Sequence, residues 1–390
     1  MQNSPFQSRR QFLCRAAASA PAIMGLPGYS GVGSGFFSIF PFTDQRRLLA
    51  TPEGKPFLAI GFNHIDSSAM RYPQNIAIWR NRYGSSEERW IKERVAPDLR
   101  SWGFNSIGWT QELVLREKNY DQYSSAWTRD HYRWTGMSYF HTLPFIENHR
   151  WRLGQEWPDV FSKEFEHWCQ LVARECCASL ADDPHLIGYF LNHSPLLVST
   201  DSSFPGKKPW FDPAMLKSRS GQKKIDSTIR QYYKIATAAI REFDPNHLIF
   251  GDCYDLAIPL PEIVLDAASD YVDAIAVKTA TDFSDTATRM TTVSWRSGLP
   301  FIIADVDYLT KPANRMAGTR HDPEKYRLFM KSMQECSDCL GVNLCGGFVR
   351  NRIRQKGVYD EQENPDLEAV EGFIKTNGEL TAWYQSLESD

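Results

Sequence analysis

Short apolar runs alternate with amphipathic helical patterns along nearly all of this chain, and that alternation constrains the fold more than any other feature. The runs are Pro56–Phe62, Phe104–Trp109, Met137–Leu143, Leu186–Leu191, His247–Asp252, Val272–Val277, Pro300–Asp305 and Cys345–Val349. Each is short, uninterrupted and rich in Ile, Val, Phe and Tyr, as parallel strands buried on both faces are. Between them, Ser85 stands three residues before Glu88 at capping-box spacing, followed by an apolar side of Ile91, Val95, Leu99 and Trp102. A second pattern carries Phe161, Phe165, Trp168, Val172 and Cys176, and a third Ile225, Ile229, Tyr232, Ala236, Ile240 and Phe243. A fourth opens at Asp322-Pro323, runs through Tyr326, Phe329 and Met333, and is expected to stop at Gly341. Eight strands alternating with helices predict an α/β protein, a single-domain (β/α)8 TIM barrel. A doubly wound open sheet is the alternative, disfavoured because no Gly-x-Gly-x-x-Gly turn follows a strand. Glu147–Trp157 and Ser194–Pro213 are long, aromatic and polar segments of the kind from which barrels build clefts.

The first 35 residues read differently from the rest. Ser8-Arg9-Arg10-Gln11-Phe12-Leu13 looks like a twin-arginine export signal, followed by a small-residue stretch from Ala16 to Gly33. Arg15 intrudes on that stretch and Pro21 follows Ala18-Ser19-Ala20, so a disordered basic tail is the alternative. The expected division is residues 1–35 as signal and linker and 36–390 as barrel. It implies the twin-arginine export machinery as a partner and a periplasmic or secreted location. A net charge of −3 gives no footprint for nucleic acid, and no apolar run is long enough for an integral membrane helix. Eight cysteines form no regular disulfide framework. Cys336-Ser-Asp-Cys339 is read as buried helix cysteines rather than a metal or redox pair.

One stretch carries more than fold: Asp183-Pro-His-Leu-Ile-Gly-Tyr-Phe-Leu-Asn-His-Ser-Pro195. It resembles the fourth-strand motif of the agarase-like β-glycosidases, within the clan A glycoside hydrolases. Leu99–Gly108, Phe243–Asp252, Tyr271–Ile275 and Leu299–Ile303 are similar to the second-, fifth-, sixth- and seventh-strand regions, in order, over about residues 50–390. The resemblance implies a TIM barrel that hydrolyses glycosidic bonds in a poly- or oligosaccharide, without a cofactor. It places the general acid/base at Ser194, after Asn192 and His193, and the nucleophile at Asp305. Both positions carry Glu in the family. The sixth strand, Ala276-Val277-Lys278-Thr279, lacks the tyrosine that usually contacts the nucleophile.

Those departures bear on the chemistry. A retaining glycosidase needs two carboxyls about 5–5.5 Å apart. A serine hydroxyl is too weak an acid to protonate the leaving oxygen. Asp is one methylene shorter than Glu, which withdraws the carboxylate by roughly 1–1.5 Å. An inverting pair needs carboxyls about 6.5–9.5 Å apart. Asp305 is one candidate member, and Asp252, Asp66 or Asp307 the other, each alternatively a hydrogen-bonded carboxylate holding a loop. His64, His141 and His193 approach the strand ends. His64-Ile65-Asp66 is not the His-x-His of barrel amidohydrolases, so no metal is expected, and His193 is read as a sugar-binding group or a loop anchor. Lys278 is expected to pair with Asp305, with a Schiff-base role as the alternative. Arg350 binds an acidic sugar or closes a salt bridge. Trp109, at a strand end, is the best-placed ring for stacking on a sugar, ahead of Trp127, Trp134, Trp151, Trp157 and Trp210. Three functions follow: a glycosidase with altered catalytic residues, a glycan-binding protein without catalysis, and, remotely, a lyase or isomerase using Lys278.

Overall fold

The computed structural model describes residues 33–43, 46–71, 73, 75–110, 127–143, 145–146, 157–193, 195–198, 209–279, 283–306, 310–312, 319–350 and 357–387. Eight parallel strands close into a barrel: β1 Ala59–Phe62, β2 Ser106–Ile107, β3 Ser138–Thr142, β4 Leu186–His193, β5 Leu248–Asp255, β6 Ile275–Thr279, β7 Phe301–Val306 and β8 Cys339–Leu344. Each pairs with its sequence neighbours, and β8 returns to β1 through Gly341–Ala59 to Leu344–Phe62. The predicted (β/α)8 barrel is therefore the fold.

The interior is filled by Phe140, Ile187, Phe190, Phe250, Cys253, Ala276, Ile302, Ala304 and Leu340. An antiparallel hairpin, Ser38–Thr43 with Arg46–Ala50, precedes β1 and sends Phe37 and Leu49 into the same cluster. It closes the amino-terminal end of the barrel. Arg47 pins it there through both carboxylate oxygens of Asp338, at 3.0 and 2.7 Å. The carboxyl-terminal end is left for the loops, where barrels place their chemistry.

Seven of the eight expected strands lie where the apolar runs are. The eighth does not. The helix Pro323–Gln334, capped by the Asp322 side chain on the amides of Glu324 and Lys325, ends well before Gly341. Gly341 lies inside β8, at a position that only glycine fits, since a Cβ there would meet the Ala59 carbonyl oxygen at 2.4 Å. The run Cys345–Val349 consequently follows β8 and belongs to the barrel mouth. Cys336 lies past the helix end and Cys339 opens the strand, so these two are not helix cysteines. No disulfide joins any of the described cysteines.

Two helices are displaced by small steps. Ser86, not Ser85, caps Glu87–Trp90, accepting from the Arg89 amide, while Ser85 takes a left-handed φ of 62°. The helix Lys163–Cys177 buries Phe165, Cys169, Val172, Ala173 and Cys177, leaving Phe161 and Trp168 exposed. The helix Arg219–Phe243 buries Ile225, Ile229, Tyr232, Ala236 and Ile240 as its periodicity predicts. Among the described residues no helix is long and apolar enough to cross a membrane.

Candidate active site at the barrel mouth

Asp305 lies near the carboxyl end of β7 and is 2% exposed. Its Oδ1 accepts from Asn63 Nδ2 at 3.0 Å. Its Oδ2 accepts from His193 Nε2 at 3.0 Å and faces Lys278 Nζ at 3.9 Å. These donors come from the ends of β1, β4 and β6. Two of those strands do not adjoin β7, so the carboxylate sits near the barrel axis. Burial pushes its pKa up, but the hydrogen bond and charge of His193, with Lys278 and His64, hold it well below the usual carboxylate range. Asp305 is an anion at any physiological pH.

Asn63 orients that anion. Its Nδ2 also donates to the Ala304 carbonyl at 2.9 Å, and its Oδ1 accepts from the Trp109 amide at 2.8 Å. Both amide functions are used, which ties the ends of β1, β2 and β7 together. Gly108 admits this side chain, since a Cβ there would lie 1.9 Å from Asn63 Oδ1. The next residue, His64, is buried with a left-handed φ of 60°. A non-glycine residue keeps that conformation only where its surroundings impose it. Here the His64 amide donates to the Trp109 carbonyl at 2.5 Å and its carbonyl accepts from the Phe348 amide at 3.0 Å. Donor atoms of His64, Asp305 and Cys345 all fall within 4.8 Å of one another. Asn63 and Cys345 were missed from sequence, Asn63 because nothing distinguished it from other strand-end polar residues, and Cys345 because it was counted into a strand.

Trp109 is 8% exposed, and its ring meets the His193 imidazole edge-on at 4.9 Å between centroids. Its indole Nε1–H is buried without a hydrogen-bond partner. Trp109 also lines a narrow crevice with Thr110, Trp127, Tyr132 and His141. There the Tyr132 hydroxyl lies 3.0 Å from His141 Nδ1, and burial brings the His141 pKa down to about 4, so the ring is neutral at neutral pH. Trp157 and Trp210 stack on each other at 4.9 Å, and Trp127 stacks on His131 at 5.8 Å. Trp134 packs against His131 at 5.0 Å.

Asp252 and Asn192 are placed elsewhere. The Asp252 carboxylate is 1% exposed and accepts from the Tyr232 hydroxyl at 2.8 Å and from Asn192 Nδ2 at 2.5 Å. Tyr232 belongs to the helix Arg219–Phe243, so this network lies between the barrel wall and that helix, not beside Asp305. The reason is local. Gly251, at φ 75°, breaks the strand's alternation, so Phe250 and Cys253 both face the interior and Asp252 turns outward. A register shift between Phe190 and His193 does the same in β4, separating His193 from Asn192. Asp66 holds its own loop, accepting from the Ser68 amide at 2.7 Å. Arg350 closes a salt bridge to Glu361 at 3.7 Å. Ser194, Asp307, Trp151 and the twin-arginine motif lie outside the described residues.

No family model matches the sequence, and no curated protein does. Solved structures do match. An exo-β-agarase superposes with a TM-score of 0.69 at 15% identity, over 92% of this chain and 66% of that one. A second agarase, AgWH50C, gives 0.69 at 13% identity over 100% and 71%. The fold is shared with agarases. A Bacteroides uniformis β-glucuronidase gives 0.51 at 11% identity over 88% of this chain and 37% of its own. At these identities the likeness is one of chain path, and the chain spans only about two thirds of the exo-β-agarase's length.

Proposed function

We propose that this chain hydrolyses glycosidic bonds in a poly- or oligosaccharide, with Asp305 as the reacting carboxylate. The observation that carries the reading is the state of Asp305: buried, anionic, and oriented by Asn63 at the carboxyl end of β7. A carboxylate held well below its usual pKa suits the member of a glycosidase pair that attacks or stabilises the sugar cation. The neighbouring agarase and β-glucuronidase folds support a glycan as substrate. Of the groups touching Asp305, His193 and Lys278 carry protons acidic enough to reach the leaving oxygen, which a serine hydroxyl does not, and His193 is the candidate donor. The Trp109 Nε1–H offers a hydrogen bond to a sugar hydroxyl.

The deciding experiment incubates purified protein with algal and plant polysaccharides and measures new reducing ends, with Asp305→Asn alongside. Release by the parent and not by the variant establishes hydrolysis through Asp305. Equal release by both overturns it. A second reading, glycan binding without turnover, is favoured by one observation: among the described residues Asp305 contacts only donors and no second carboxylate. Binding on a glycan array with no reducing ends would establish that reading. The lyase reading is weakened because Lys278 Nζ lies 3.9 Å from the Asp305 carboxylate, and a neighbouring anion disfavours the neutral amine that a Schiff base needs. We place the protein outside the cytoplasm through the Arg9-Arg10 motif; loss of export of a fused reporter on Arg9→Lys with Arg10→Lys is the expected result.

A further inference from the structure

Three different metal-ligand chemistries converge beside the barrel axis. His64 offers an imidazole nitrogen, Asp305 a carboxylate oxygen and Cys345 a thiol sulfur, all within 4.8 Å of one another and all buried. They come from three separate strand ends, those of β1, β7 and β8, so the barrel itself brings them together. His193 stands outside this trio and holds Asp305 Oδ2 by a hydrogen bond at 3.0 Å. Around a tetrahedral zinc with bonds of about 2.0–2.3 Å, donor atoms stand roughly 3.3–3.8 Å apart. The three donors, already within 4.8 Å of one another, therefore need to shift by only about an ångström to close on one ion. Its outer support is already in place: Asn63 holds Asp305 Oδ1, and the His64 backbone is fixed through Trp109 and Phe348.

We infer that His64, Asp305 and Cys345 form a three-ligand binding site for a divalent cation of the zinc class, with water as the fourth donor. A mixed nitrogen, oxygen and sulfur set suits zinc or cobalt and disfavours calcium and magnesium, which take oxygen ligands. Binding requires the Cys345 thiol to lose its proton, and the thiolate and carboxylate together neutralise the ion. The site does not depend on the glycan reading. A bound cation takes the carboxylate that hydrolysis uses, so hydrolysis is read on chelator-treated protein and the metal by spectroscopy.

The test strips the full-length protein with a chelator, then titrates it with Zn2+ and, separately, Co2+. The expected result is one ion per chain, protons released on binding, and a thiolate-to-cobalt charge-transfer band. Cys345→Ser should abolish the band, and His64→Gln should weaken Zn2+ binding by at least about 10-fold. Far-ultraviolet circular dichroism checks that both variants fold, and Asp305→Asn supplies an independent ligand deletion. Absence of binding by the parent, or binding with an unchanged band in Cys345→Ser, overturns the inference.

Discussion

Asp305→Asn tests whether the anion at the barrel mouth is compensated by its surroundings. The substitution keeps size and removes charge. It leaves the His193 and Lys278 side chains, 13% and 19% exposed, facing a neutral amide whose NH2 group repels their N–H donors. Removing one partner of a buried pair costs about 3–5 kcal/mol. Lys278 keeps some solvent and its contact is long, so ~2–3 kcal/mol is the expected loss at pH 7. For a barrel this size that corresponds to a melting shift of roughly 3–4 °C. The pH dependence has a definite sign. The folded pKa of Asp305 lies below its unfolded value of about 3.9. Its contribution is therefore complete above about pH 5 and is lost as pH falls toward the folded pKa. Urea unfolding of parent and variant should show a gap at pH 7 that narrows below about pH 4–5. A variant as stable as the parent at pH 7, or more so, would refute the reasoning. It would show that the carboxylate is held against its surroundings, as active-site groups often are.

Trp109→Phe keeps a ring against His193 but removes the partnerless Nε1–H and part of a buried indole; stability should fall by about 1–3 kcal/mol, while glycan affinity on an array falls about fivefold to tenfold. Unchanged affinity would remove Trp109 from the ligand contacts. Tyr232→Phe strips one donor from Asp252 and should cost about 1–3 kcal/mol in urea unfolding with no change in the KM of sugar release, since that network lies in the wall. Glu87 has its pKa brought down to about 2, chiefly by the hydrogen bond from His131, with Ser67 and Arg71 assisting against burial. Its contribution is present above about pH 4.3 and is lost as pH falls through 2, so Glu87→Gln should flatten the acid side of the melting-temperature profile. An acid limb of unchanged slope would assign that loss of stability to other groups.

The barrel was legible because its strands are buried on both faces and its helices on one, and those two patterns differ in period. Asp305 was legible for a related reason: it ends a strand whose length and position were both visible. What stayed hidden depends on departures from regularity. Period-two reasoning puts Phe250 and Asp252 on one face, and a single left-handed glycine at 251 reverses that. Gly341 was read as a helix stop because glycine often ends helices, whereas here it permits β8 to lie against Ala59. That misreading moved Cys345 into a strand and concealed its approach to His64. The left-handed backbone of His64 has no sequence signature, because even the non-glycine residues enriched in that region adopt it only rarely.

One carboxylate surrounded by donors sets a condition on every occupant of this mouth. Asp305 spends Oδ1 on Asn63 and Oδ2 on His193 and Lys278. A newcomer reaching Oδ2 must displace a donor and offer an equivalent one, or leave a buried charge unsatisfied. A sugar hydroxyl meets that condition, and so does a divalent cation; an apolar ligand does not. The shorter reach of aspartate sharpens it. A carboxylate withdrawn by roughly 1–1.5 Å stays within the ring of donors rather than projecting past it, so its ligand must come down to it. Glycan and cation are thus alternative occupants of one position, and each should weaken the other. Zinc added to the chelator-treated protein should lower glycan affinity in the parent and leave it unchanged in Cys345→Ser. Additive binding of the two would mean that sugar and metal meet different groups, and Asp305 could then serve only one of them.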